Sequence, residues 1–137
     1  MSVVEELLRT EADGKISFGN HTLQSKKKKE DFVYAGDIYK VKTCAEITKL
    51  EKNGMFLYES VPGTSVNGFA ETENSVLFTV TGNAAAQITV GLKTETEYEV
   101  YIRECCLGTM KSGFSGKLNL SVELEDGVEV PITITEA

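Results

Sequence analysis

Residues 97 to 123, Glu97-Tyr-Glu-Val-Tyr-Ile-Arg-Glu-Cys-Cys-Leu-Gly-Thr-Met-Lys-Ser-Gly-Phe-Ser-Gly-Lys-Leu-Asn-Leu-Ser-Val-Glu123, decide the fold. Apolar and polar side chains alternate in three runs, and glycines punctuate the gaps. Tyr98, Val100 and Ile102 fall on one side of an extended chain, with Glu97, Glu99, Tyr101 and Arg103 on the other. Leu118, Leu120, Val122 and, one step further, Leu124 alternate in the same way against Lys117, Asn119, Ser121 and Glu123. A period of two is that of a strand with one face in a core. The three runs read as a β-meander, with Arg103, Glu104, Cys105 and Cys106 at or beside the tip of its first hairpin.

The same punctuation recurs outward. Strands are expected at 15–18, 75–81, 85–91, 97–103, 107–111, 117–123 and 128–135, and an extended region from Phe32 to Val41 is broken by a hairpin turn at Ala35-Gly36-Asp37. Asn53-Gly54 predicts a type I′ hairpin between Ile47 and Ser60, because both turn positions need positive φ. Thr43 with Glu46 also fits a helical capping box, so a helical turn is the alternative over 43–52. Residues 20–31 read as a polar loop, and Pro131 inside the final run predicts an edge strand, since proline cannot donate to a ladder. Short strands at this spacing indicate an all-β antiparallel β-sandwich, of jelly-roll or immunoglobulin-like type. Ahead of it, Ser2 as N-cap, Glu5 and Glu6 in a first turn, and Val3, Val4, Leu7 and Leu8 on one face predict a short helix or arm. That gives an arm over 1–14 and a single domain over 15–137.

Charge narrows the partners. The net charge of −7 is uneven: residues 1–52 carry 10 Lys and Arg against 9 Asp and Glu, and residues 53–137 carry 4 against 12. Nucleic-acid affinity comes largely from neutralising phosphates with Lys and Arg, so nucleic acid is not the expected partner. The countersignal, Lys26 to Lys29, has no aromatic residues between the lysines and reads as solvated chain. No apolar run is long enough to span a bilayer as a helix, so membrane insertion is not expected. The N-terminal stretch lacks the basic segment and apolar core of a signal peptide. The expectation is a cytoplasmic protein or one built into a particle. Three cysteines, two of them adjacent, do not make an intramolecular disulfide framework.

Little in the chain points to chemistry. His21 is the only histidine, which leaves a Cys–His pair as the one histidine-based catalytic option and no multi-histidine metal site. Cys105-Cys106 lacks the two-to-four-residue separation of a zinc site. Neither phosphate-binding glycine motif occurs. Exposed Glu97, Glu99, Glu123, Glu125 and Glu129 read as solvated strand faces, with no pair singled out for glycosidase work. No catalytic residue, cofactor or metal is read. The candidate interaction surface is Arg103, Glu104, Cys105 and Cys106 at the hairpin tip, together with Tyr34, Tyr39, Tyr58 and Tyr101, which would form a sugar platform if they shared one face.

Ile47-Thr-Lys-Leu-Glu-Lys-Asn-Gly-Met-Phe-Leu-Tyr-Glu-Ser-Val-Pro-Gly-Thr64, together with residues 98–124, resembles a family of short clostridial proteins that carry the label endosialidase. The terminal strands are also similar to β-sandwich modules of carbohydrate-active enzymes. The label implies glycan cleavage, but sialidase-like enzymes are β-propellers, and this chain could supply no more than about three blades. Such enzymes grip the substrate carboxylate with clustered arginines, and only Arg9 and Arg103 are present. The expectation is a non-enzymatic structural or interaction protein, a self-assembling capsid-decoration or surface component of bacterial or phage origin. The alternative is a carbohydrate-binding module with a polysaccharide partner.

Overall fold

A computed structural model describes residues 3–137. The described chain is all-β, with thirteen strands in two antiparallel sheets and no helix. In chain order they are β1 (Leu8–Thr10), β2 (Ile16–Phe18), β3 (Lys27–Tyr34), β4 (Asp37–Thr43), β5 (Thr48–Lys52), β6 (Met55–Val61), β7 (Ser65–Glu71), β8 (Ser75–Thr81), β9 (Ala86–Gly91), β10 (Glu97–Ile102), β11 (Cys105–Lys111), β12 (Lys117–Val122) and β13 (Val130–Glu136). One sheet has the order β1-β2-β7-β8-β13-β10-β11, and the other β12-β9-β6-β5-β4-β3. The pairs β8–β13, β9–β12 and β10–β11 nest inside one another and alternate between sheets, which is jelly-roll winding.

Alternation set the core as expected. Tyr98 and Val100 of β10 and Leu118, Leu120 and Val122 of β12 are buried, and Leu124 beyond β12 joins them. At the centre, Phe18 meets Tyr58 and Phe69 edge-on at centroid distances of 5.2 and 5.6 Å. Phe78 lies 5.6 Å from Tyr58 and 5.7 Å from Phe69, so four rings from both sheets form one cluster. Both predicted hairpins are present: Asn53 and Gly54 have φ of 53° and 77°, and in the turn read at Ala35-Gly36-Asp37 the loop is Ala35 and Gly36, with φ of 53° and 84°, while Asp37 already opens β4. The helical alternative over 43–52 is therefore not adopted.

Four local expectations are corrected. Residues 97–122 are not a meander: β10 and β11 form a hairpin, but β12 crosses to the other sheet and pairs with β9. Pro131 is not on an edge, because β13 lies between β8 and β10. It stands opposite Thr79, and its carbonyl accepts from Arg103 N–H at 2.8 Å in the β10–β11 turn. A residue's N–H and C=O point to the same side of a strand. The missing donor therefore falls where β10 has already ended. Lys27, Lys28 and Lys29 are not loop but part of β3, an edge strand. No helix forms among the described residues near the N-terminus; the Ser2 cap lies outside them. Leu7 N–H closes a turn onto the Val4 carbonyl, Leu7 adopts φ 71°, and β1 then pairs with β2. So short a helix gains little by itself, and burial of Val4 and Leu8 decides the outcome.

One strand, β7, has no clear sequence signal, because Gly68 (φ 64°) sits in a bulge that interrupts its alternation.

Candidate functional site

Antiparallel winding sorts the connections to the two ends of the sandwich. One end carries the β1–β2, β3–β4, β5–β6, β7–β8, β9–β10 and β11–β12 connections. The other carries β2–β3, β4–β5, β6–β7, β8–β9, β10–β11 and β12–β13.

The second end is sealed by buried polar groups. Thr64 Oγ1 lies 2.8 Å from Tyr58 Oη and 2.7 Å from Ser60 Oγ. Thr48 Oγ1 donates to the Thr64 carbonyl at 2.7 Å, accepts from Thr64 N–H at 3.0 Å, and lies 2.8 Å from Thr43 Oγ1. Burial pushes the Tyr58 phenol far above the ordinary tyrosine value. His21 Nδ1 lies 2.7 Å from Ser65 Oγ, within reach for a nucleophile and its base. Ser65 is 0% and His21 2% exposed, so both side chains are shielded from solvent. Desolvation lowers the His21 pKa, against the opposing influence of Asn83 and Asp126.

At the rim of that end is the hairpin tip singled out in the sequence. Arg103 has φ 62°, Glu104 follows it, and Cys105 and Cys106 open β11 as exposed free thiols. Tyr101 pairs with Cys106 across the hairpin. Glu99, and after it Cys106, hold the Tyr101 phenol above its usual pKa. Arg103, Glu104, Cys105, Cys106 and Tyr101 are thus together. The other tyrosines are elsewhere: Tyr58 is in the core, and Tyr34 and Tyr39 meet edge-on at 5.7 Å at the first end, where the Tyr34 hydroxyl donates to the Gly14 carbonyl. The four tyrosines do not share a face. Among the described residues, no three His, Cys, Asp or Glu side chains gather as a metal-binding group.

The first end is open. Between the sheets lies a cleft of about 460 Å³, and a smaller one of about 150 Å³ lies beside it under Tyr34, Tyr39 and Phe69. Lys52 of β5 and Glu71 of β7 line both, and their ion pair at 3.1 Å is a crossbar from sheet to sheet. Partial desolvation works against the Lys52 charge, yet the Glu71 hydrogen bond, supported by Asp37, holds its pKa above the ordinary lysine value. The larger cleft has an apolar floor from Phe56, Leu57, Val76, Leu92 and Tyr98. Its rim carries Asn53, Thr72, Glu73 and Asn74 on turns, and Lys93 and Lys117 beside them. Lys93 is bound to Glu136 at 2.9 Å, and Lys117 Nζ sits 4.5 Å above the Phe56 ring centroid.

Three of the most exposed large apolar side chains belong to this same end: Phe114 at 88%, Met55 at 72% and Val33 at 68%. Met55 lines the cleft, and Phe114 precedes Ser115, which also lines it. Sequence reading missed this region because the lining of the cleft comes from four separate connections and the strand ends beside them. One signal was available: Phe114 stands inside Ser112-Gly-Phe-Ser-Gly116, an aromatic among small residues in a turn.

Charge is also segregated. Segment 26–52, which builds β3, β4 and β5 on one flank, holds eight lysines and five acids; segment 93–137, which builds β10 to β13, holds four basic residues and nine acids. In comparisons with known protein families, with curated proteins and with solved structures, nothing matches this chain.

Proposed function

We propose that this protein is a non-enzymatic interaction domain that assembles with copies of itself and engages its partner through the open end of the sandwich. The carrying observation is that this end combines the 460 Å³ cleft with Phe114 and Met55, both largely in solvent. Exposed apolar clusters beside a cleft are what association covers. Opposite charge on two flanks supports a second copy as the partner, since charge complementarity steers encounter and sets register. A hydrolytic role has less support: Arg9 is engaged by Glu6 and Glu11 in β1, Arg103 is at the far end, and the His21–Ser65 pair is sealed.

Sedimentation velocity over a wide range of protein and salt concentrations tests the reading. A concentration-dependent, saturable oligomer is expected; a strict monomer at millimolar protein would sink it.

A second reading, carbohydrate binding, is favoured by the amide and hydroxyl rim of Asn53, Thr72 and Asn74 above the Phe56 and Tyr98 floor. A polysaccharide is then the partner. Absence of any binding on a glycan array would remove it.

A further inference from the structure

We infer that two copies associate end to end about a two-fold axis, each inserting Phe114 into the other's cleft. This rests on the self-assembly reading and names its interface.

Phe114 is 88% exposed and does not line its own cleft, although its neighbour Ser115 does. Its loop is held by the connection beneath it. Leu92 N–H donates to the Gly116 carbonyl at 2.7 Å, Glu95 N–H to the Gly113 carbonyl at 3.1 Å, and Ser112 N–H to the Thr96 carbonyl at 2.9 Å. Ser112 Oγ accepts from Thr96 N–H at 2.9 Å. An aromatic ring on a braced turn loses little freedom when it docks, which is the property of a preorganised anchor. At Gly116, a Cβ would lie 2.3 Å from the Leu92 carbonyl oxygen, so this close brace depends on glycine there.

The receiving site suits the ring. Its floor of Phe56, Leu57, Val76, Leu92 and Tyr98 is apolar, and its volume of about 460 Å³ exceeds one aromatic side chain, leaving room for the flanking turn. The charges are complementary as well. Segment 111–117 brings Lys111 and Lys117 and no acid, whereas the wall at 71–74 brings no base and presents Glu73 beside Glu71, which Lys52 already holds. Donor and acceptor features occupy the same end of one chain. Isologous pairing then satisfies both copies at once and closes the assembly at two, because residue i of one copy meets residue j of the other and j meets i.

Three variants read this directly. Phe114→Ser removes the anchor at a solvent-exposed position, and Asn74→Trp fills the cleft from an exposed turn; circular dichroism checks that both keep the fold. Each is expected to raise the dimer dissociation constant about thirtyfold or more in sedimentation equilibrium. Mixing the two restores one insertion per heterodimer, so the mixture is expected to be heavier than either variant alone. Phe114→Trp supplies the only tryptophan in the chain, and its emission is expected to shift to the blue as concentration rises. A wild-type oligomer that Phe114→Ser leaves unchanged, a mixture no heavier than its components, or an emission independent of concentration overturns this interface while self-assembly stands. A wild type that stays monomeric overturns both.

Discussion

At the scale of single residues, the sealed end makes the sharpest energetic statements. Thr64 is the hub: its hydroxyl serves both Tyr58 and Ser60 in a site without water access. Thr64→Val keeps the shape and removes the partner, leaving buried hydroxyls unsatisfied. We expect a loss of about 1–3 kcal/mol in denaturant unfolding. His21 adds a pH dependence. Its folded pKa is lowered from the usual 6.5 by desolvation, so on acidification the unfolded chain takes up the proton first. Stability from this group is whole above about pH 6.5 and is lost as pH falls toward the lowered folded value. The carboxylates of Glu6, Glu11 and Glu30, held below 4.5 chiefly by a backbone hydrogen bond, by Ser17 and by Lys28 respectively, contribute only in a more acid window. Melting temperatures between pH 7.5 and pH 5 should therefore fall in wild type and fall less in His21→Asn; equal slopes would refute the assignment.

At the scale of elements, close approaches between connections decide what the chain tolerates. A Cβ on Gly63, between β6 and β7, would lie 1.9 Å from the Cys44 carbonyl oxygen in the β4–β5 connection. That is backbone against backbone, held by Gly63 N–H donating to the Ala45 carbonyl at 3.0 Å, so neither side can yield without loss of pairing. Gly63→Ala is expected to cost more than about 3 kcal/mol, measured as a shift in denaturant midpoint, or to abolish folding. Edges are managed by different means. Strand β3 presents lysines and a register shift between Lys29 and Phe32. Lys29 Nζ also reaches over to the Leu8 carbonyl at 3.1 Å, tying the two sheets at that flank. Charged side chains and bulges on an edge oppose strand-to-strand aggregation, which gives the lysine run a structural role.

At the scale of the whole molecule, both sheets share one hydrophobic cluster running from Leu8 to Ile134, so the fold should unfold as a unit. The three thiols report on this. Cys105 and Cys106 are exposed and Cys44 is buried, so two of three should react at once with a disulfide reagent. The third should react at a rate that follows global unfolding across a denaturant series. Early reaction of Cys44 would mean that the β4–β5 end opens on its own.

Sequence by itself determined the local conformation and the inward face. Alternation at Tyr98 and Val100 and at Leu118 to Leu124 marked core positions, because a strand with one wet face must repeat every two residues. Asn53-Gly54 and Ala35-Gly36 marked hairpins, through the positive φ their turns require. The cysteine-bearing tip was likewise visible from the break in that alternation. Partnership was not local. The pattern of β12 is the same whether it pairs with β11 or, as it does, with β9, because period two records a buried face and not its neighbour. Pro131 was misleading for a related reason: whether a missing donor matters depends on where the adjacent strand ends. The cleft and its braced Phe114 exist only in three dimensions, since the winding alone carries the four distant connections that line it to one end of the sandwich.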